Sequence, residues 1–189
     1  MAKKTLSPGT ALYPVPVIMV SCVDQNGRAN LVTLAWTGTV CSEPPMIGIS
    51  LRPGRHSHPM IKQTGEFVVN IPSADQVRVL DYVGSVSGRD VGDKFAAAGL
   101  TPEPASLVKA PLVGECPMNI ECKVRQVLSL GTHDLFLGEV VAVHADERVL
   151  TPEGSLDPAK AQASAYIGGE YWSMGERLGV HGLSKGQPR

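Results

Sequence analysis

No stretch of this sequence is built to cross a bilayer. The longest apolar run, Val15 to Val23, is too short, and the opening residues lack the apolar core of a secretory leader. Charge of either sign is not in excess: 17 basic residues meet 18 acidic ones for a net charge of −1, with no basic run and no acidic tail. Nothing therefore advertises a nucleic-acid or anionic-membrane surface. The four cysteines, Cys22, Cys41, Cys116 and Cys122, form no close C-x-x-C pair, so they read as reduced core or edge residues, and a cytoplasmic protein is expected. There is no internal repeat, no G-x-G-x-x-G and no G-x-x-x-x-G-K-[ST], so neither a dinucleotide fold nor a P-loop is at hand.

What is present is concentrated between Ser50 and Ser57, Ser-Leu-Arg-Pro-Gly-Arg-His-Ser. Arg52 and Arg55 bracket a Pro-Gly turn. A guanidinium donates two parallel hydrogen bonds to phosphate oxygens and keeps its charge at physiological pH, so the stretch is expected to hold a phosphorylated small molecule. Ser57 is placed to cap a helix over His58–Thr64, with Pro59 tolerated in its first turn, and the free amides of a helix start attract anions. His56 and His58 form an H-x-H, but no third ligand is apparent and no metal is assigned.

Strand patterns dominate the first third. Val15–Val23 is apolar and β-branched, Asn26-Gly27 supplies a tight hairpin turn, and Asn30–Cys41 is expected to return as one strand, with Gly38 marking a bulge. Met46–Leu51 makes a third strand leading into the arginine turn, and Phe67–Ile71 a fourth. Ser73 and Gln76 have capping-box spacing ahead of a helix through about Val83; Gly84–Gly92 reads as loop, and Asp93–Ala98 as a short helix stopped by Gly99. Met118, Ile120, Cys122 and Val124 alternate with Asn119, Glu121, Lys123 and Arg125, a strand with one wet face, and another strand spans Leu135–Val143. Beyond Leu150, surface loops and an aromatic anchor at Tyr171-Trp172 are expected. The sum is mainly β: about six mostly antiparallel strands in a closed or nearly closed barrel, with two or three short helices, in a single domain over 1–189 whose core lies at about 10–150.

Three segments taken together resemble the flavin reductase-like family, which includes flavoredoxin and has an FMN-binding split-barrel, Greek-key fold. They are Asn30–Gly38 (Asn-Leu-Val-Thr-Leu-Ala-Trp-Thr-Gly), Ser50–Ser57 with Gly65–Ile71 behind it, and Gly131–Val140 (Gly-Thr-His-Asp-Leu-Phe-Leu-Gly-Glu-Val). The likeness spans about residues 10 to 145, and Gly88–Leu100 resembles the family segment that brings a lysine toward the cofactor. The resemblance implies non-covalent FMN, NAD(P)H as co-substrate, a homodimer, and electrons passed to free flavin or a redox protein partner. It implies that Arg52, Arg55, His56 and Ser57 surround the phosphate with Lys94 adding charge. Thr33, Leu34, Ala35 and Trp36 would line the flavin ring, and Asn30, Thr37, Ser50, Leu51 and Phe95 complete the expected cofactor set. His133 falls in the family's Gly-Asp-His pattern near the reactive face of the flavin and is the expected catalytic residue, although Thr132 stands where aspartate is usual. A flavoredoxin-type electron carrier, a non-catalytic FMN module and a relative of the pyridoxamine-phosphate oxidases are the alternatives.

Overall fold

The computed structural model describes residues 1–185. Its strands are β1 (Val15–Pro16), β2 (Ile18–Val23), β3 (Ala29–Leu34), β4 (Thr37–Ser42), β5 (Pro45–Leu51), β6 (Glu66–Ile71), β7 (Pro102–Glu103), β8 (Leu112–Val113), β9 (Met118–Ser129), β10 (Asp134–Ala145), β11 (Ser164–Ile167) and β12 (Glu170–Ser173). The helices are all short: α1 (Ser57–Thr64), α2 (Val77–Ser85), α3 (Gly88–Val91), α4 (Lys94–Ala98) and α5 (Pro158–Ala161), with single 3-10 turns at Ala74–Gln76 and Glu147–Val149.

One antiparallel sheet of seven strands organises the chain, in the order β3-β2-β6-β9-β10-β5-β4. Its two edge strands are consecutive in sequence, joined only by Ala35 and Trp36. Laid flat, seven strands would separate those edges by roughly 29 Å, whereas three residue steps reach at most about 11 Å. The sheet must curl until its edges meet at that two-residue bend. Period two sorts the side chains: Ile18, Val20, Cys22, Val32, Leu34, Ile47, Ile49, Leu51, Phe67 and Val69 point into one buried cluster, capped by Met60 and Ile61 of α1. The alternate residues Val17, Met19 and Leu31 turn outward, where Leu80 and Val83 of α2 and Phe95 of α4 cover them. Strand β2 is buried on both faces, which is why it reads as an unbroken apolar run. Each large aliphatic or aromatic side chain fully buried here contributes about 1.5–3 kcal/mol.

Several expectations need correction. Asn30–Cys41 is two strands, because the closing sheet breaks it at Ala35–Trp36, and the register shift lies between Thr39 and Cys41 rather than at Gly38. Val15–Pro16 leaves the main sheet to pair with β11, so the first apolar run is also two strands. Helix α2 continues through Gly84 to Ser85, and Gly88–Val91 forms a helical turn capped by Ser87, where a loop was expected. The tract after Leu150 holds a β11–β12 hairpin and α5 rather than loops alone; its last residues, 186–189, lie outside the described residues. The capping box at Ser73 and Gln76 and the left-handed Gly99 that stops α4 are as expected, while Asp93, expected as the first helical residue, is the N-cap of α4.

Candidate functional site

The turn at Arg52–Arg55 closes by a hydrogen bond from the Arg55 amide to the Arg52 carbonyl (3.0 Å), and α1 begins two residues later. Ser57 does not cap that helix. The N-cap position falls on His56, which makes no side-chain cap bond, and Ser57 is the first helical residue. Its buried hydroxyl instead accepts a hydrogen bond from Asn30 Nδ2 (2.7 Å), tying α1 to β3.

Two lobes of one cleft meet at Arg55 and Gly84, which border both. The smaller, about 200 Å³, has a floor of buried groups, Asn30, Ser57, Gly88 and Lys94, and an outer wall of exposed ones, Gly54, Arg55 and Arg89. Arg55, Arg89 and Lys94 bring positive charge to it, His56 adds an imidazole, and no carboxylate among the described residues lines it. Lys94 Nζ donates to the Leu31 carbonyl (2.9 Å); burial, and then the charge of Arg55, push its ammonium down to about 8. Burial and the charges of Arg89 and Lys94 likewise hold the His56 imidazole below its ordinary range. Asn30 Oδ1 is buried without a hydrogen-bond partner. Gly88 is pressed so close that a Cβ there would stand 2.2 Å from that oxygen and 2.9 Å from His56 Cδ2. A built, cationic chamber suits a phosphate, whereas the unpartnered Asn30 Oδ1 is an acceptor and calls for a donor such as a hydroxyl.

The larger lobe, about 400 Å³, runs along the Ala35–Trp36 bend. Thr33, Leu34, Ala35, Trp36, Ser50, Leu51, Arg52 and His133 line one side, and Val17, Asp81, Gly84, Ser85, Tyr166 and Tyr171 the other. Gly84 lets α2 approach β3, since a Cβ there would meet Thr33 Cβ at 3.1 Å; the Thr33 hydroxyl is spent on the Leu80 carbonyl (2.6 Å). The opposite wall combines α2 with the β11–β12 hairpin, where Tyr171 donates its hydroxyl to Asp81 Oδ1 (2.8 Å) and packs edge-on against Tyr166. Burial, then that bond, raise the Tyr171 phenol to about 12, so it stays protonated.

His133 sits at the mouth, edge-on to Trp36 with ring centroids 4.7 Å apart. Arg52 Nε donates to its Nε2 (3.4 Å), and Nδ1 meets the Thr132 hydroxyl (2.9 Å). Burial and then the Arg52 charge lower its pKa, so the ring is neutral near pH 7, with its proton assigned to Nδ1 by these partners. The hydroxyl of Thr132 thus takes the orienting place that an aspartate would hold. One residue on, Asp134 accepts from Ser129 Oγ (2.8 Å) and pairs with His58 (2.9 Å) in a nearly closed site, joining α1 to β10 beneath the arginine turn.

Most of the expected site residues converge, with three exceptions in placement. Phe95 packs among Leu80 and Val83 and borders neither lobe, because it is on the core face of α4. Thr37 lies past the bend, in an apolar groove with Leu12 and Val15 that adjoins the larger lobe at Ala35 and Trp36. Arg52 belongs to the larger lobe alone, pointing to His133, whereas Arg55 borders both. Arg89, Asp81, Tyr166 and Tyr171 were not anticipated; the arginine two residues past Val86-Ser87, in a glycine-bounded stretch, was the one visible cue.

Comparison with known proteins agrees with this picture. The flavin reductase like domain matches residues 10–171. Flavoredoxin of Desulfovibrio vulgaris (Miyazaki F) superposes with a TM-score of 0.91 at 38% identity, covering 97% of this chain and 99% of that one. An FMN-binding protein from Thermus thermophilus gives 0.80 at 27% identity, covering 95% and 97%. A protein with a split barrel domain from Shewanella frigidimarina gives 0.80 at 25%, covering 88% and 85%. The curled seven-stranded sheet is the split barrel, and the chain belongs to the flavin reductase-like family.

Proposed function

We propose that this chain binds FMN across the two lobes and acts as an oxidoreductase that carries electrons from NAD(P)H to free flavin or to a redox partner. The observation that carries the reading is the joined cleft: a cationic chamber free of carboxylates opens, at Arg55 and Gly84, into a longer lobe with apolar and aromatic walls. An isoalloxazine with a phosphate tail has that division of character. The likeness to a flavoredoxin and to an FMN-binding protein supports it.

In this reading Arg55, Arg89 and Lys94 offset the phosphate charge, His56 lies beside them as a neutral imidazole, and Asn30 Oδ1 is free to accept from a hydroxyl of the sugar-alcohol tether. The backbone from Thr33 to Trp36 and the side chain of Trp36 border the ring. Bound FMN supplies the hydride and electron chemistry. His133 has its Nε2 lone pair turned to Arg52, so it serves to orient that guanidinium and an incoming nicotinamide at the mouth rather than to deliver a proton. The chain has no nucleotide fingerprint of its own, so the donor would lie directly against the flavin, at about 3 to 3.5 Å between reacting atoms. A second copy is the expected partner, because Leu12, Trp36, Val40, Trp172 and Met174 are exposed apolar groups. All four cysteines are free, which suits a cytoplasmic setting.

Mixing FMN-loaded protein with NADH or NADPH without oxygen tests the assignment: bleaching of the flavin band within seconds supports a reductase. Bleaching that requires a low-potential donor protein supports a flavoredoxin-type carrier, a second reading favoured by the 42% exposure of Trp36 at the cleft rim, within reach of a docking protein. No bleaching with any donor refutes both.

A further inference from the structure

We infer that Arg89 is a latch across the solvent side of the small lobe, and that this latch makes the site choose a flavin ending in a phosphate monoester over one extended into a dinucleotide. The inference rests on the FMN reading above and assigns a specificity role within it. Arg89 Nη1 donates to the Gly54 carbonyl at 3.3 Å, linking α3 to the Pro53–Gly54 turn 35 residues away in the chain. Both ends of that link border the lobe, and both are exposed, whereas the floor is buried. The link therefore spans the side through which any group attached beyond a bound phosphate has to leave.

The floor is tight. Gly88 fits against Asn30 and His56 without room for even a methyl group, and Lys94 is fastened to Leu31. The lobe itself, about 200 Å³, is smaller than the roughly 300 Å³ at which sites for whole small molecules begin, so an adenylyl group has no place inside it. The position of Arg89 is defined rather than floppy at its base: its amide donates to Ser87 Oγ (3.2 Å), which starts the α3 turn. Its far end is held by one long, exposed bond. Such a bond is weak enough to open for entry and to re-form over a monoester, which the guanidinium also attracts. A pyrophosphate running outward would occupy the line between Arg89 and Gly54 and keep the latch open.

The test measures dissociation constants and release rates of FMN and FAD for wild type, Arg89→Ala and Arg89→Lys, with circular dichroism to verify folding. The wild type should prefer FMN over FAD by at least tenfold. Arg89→Ala should release FMN at least tenfold faster and lose most of that preference. Arg89→Lys keeps the charge but lacks the planar fork that reaches Gly54, so it should hold FMN within a few-fold of wild type and still lose discrimination. A wild-type protein that binds neither flavin refutes the cofactor reading itself. Protein that binds FMN, with the same FMN-to-FAD ratio in wild type and in both variants, overturns the latch alone.

Discussion

The affinity for FMN should fall as the solution becomes alkaline, and Lys94 fixes where. Its ammonium is buried and faces Arg55, which brings its pKa to about 8 in the absence of ligand. At pH 7 about nine in ten copies carry the charge, and at pH 9 about one in ten. A phosphate in the small lobe favours the charged form, so the complex has the higher pKa and binding takes up a proton in the interval between the two values. If the charged form alone holds the phosphate, the dissociation constant rises about tenfold from pH 7 to pH 9, equivalent to about 1.4 kcal/mol. Fluorescence titration at constant ionic strength reads this directly, and riboflavin, which has no phosphate, supplies the blank. Replacing Lys94 with methionine should weaken FMN at pH 7 and flatten the curve. The same depressed pKa also makes the ligand-free protein gain stability as pH rises from 8 toward the ordinary lysine value, because the unfolded chain there holds the extra proton. A flat FMN curve in the wild type, or an unchanged slope in Lys94→Met, refutes the argument.

Gly88→Ala would place a methyl group 2.2 Å from Asn30 Oδ1; we expect purified protein with at least tenfold less bound flavin, read from the absorbance ratio, at near-wild-type helix and strand content. Gly138→Ala acts far from the cleft, where a Cβ would sit 2.6 Å from Phe67 Cζ in the barrel core. It should cost about 1–3 kcal/mol, lowering the melting point by roughly 2–12 °C, and an unchanged melting point would show that the Phe67 ring moves aside freely. The Asp134 carboxylate is held below its ordinary pKa by Ser129 and then His58. Its contribution is complete above about pH 4 and fades as pH drops through the lowered value. Urea unfolding should therefore show a gap between wild type and Asp134→Asn at pH 5 that closes in stronger acid; a gap that persists at pH 3 contradicts this role for the ionised carboxylate.

The frame of this fold is legible where short-range chemistry decides it. Asn26-Gly27 turns between β2 and β3 with Gly27 at φ 79°, and Ser73 and Gln76 cap each other's backbone. Strand β9 does pair with β6 and β10, but half of its expected wet face is covered: Asn119 and Glu121 are buried, the carboxylate accepting from the Ser106, Leu107 and Val108 amides. What escaped notice depends on distance in space. The break at Ala35–Trp36 is invisible because both halves favour strand, and only closure of the sheet demands a bend. His58 and Asp134 are 76 residues apart, so an H-x-H read alone gives no hint that one imidazole is committed to a carboxylate. Short β11 and β12 carry four residues each, too few for a period to emerge among the surrounding Gly, Pro and Ser, yet Tyr166 and Tyr171 from that hairpin line the larger lobe. Arg89 was hidden by the glycines around it, which resemble a loop while α3 in fact makes a turn of helix.

Because a single strand-to-helix turn, Arg52 to Ser57, contributes walls to both compartments, the spacing between them behaves as a yardstick. A flavin analogue with one carbon more or fewer in its sugar-alcohol tether could seat its head or its tail, but not both. Lengthening that turn by one residue would likewise recalibrate the whole site at a stroke, shifting ring and anion together rather than tuning either by itself.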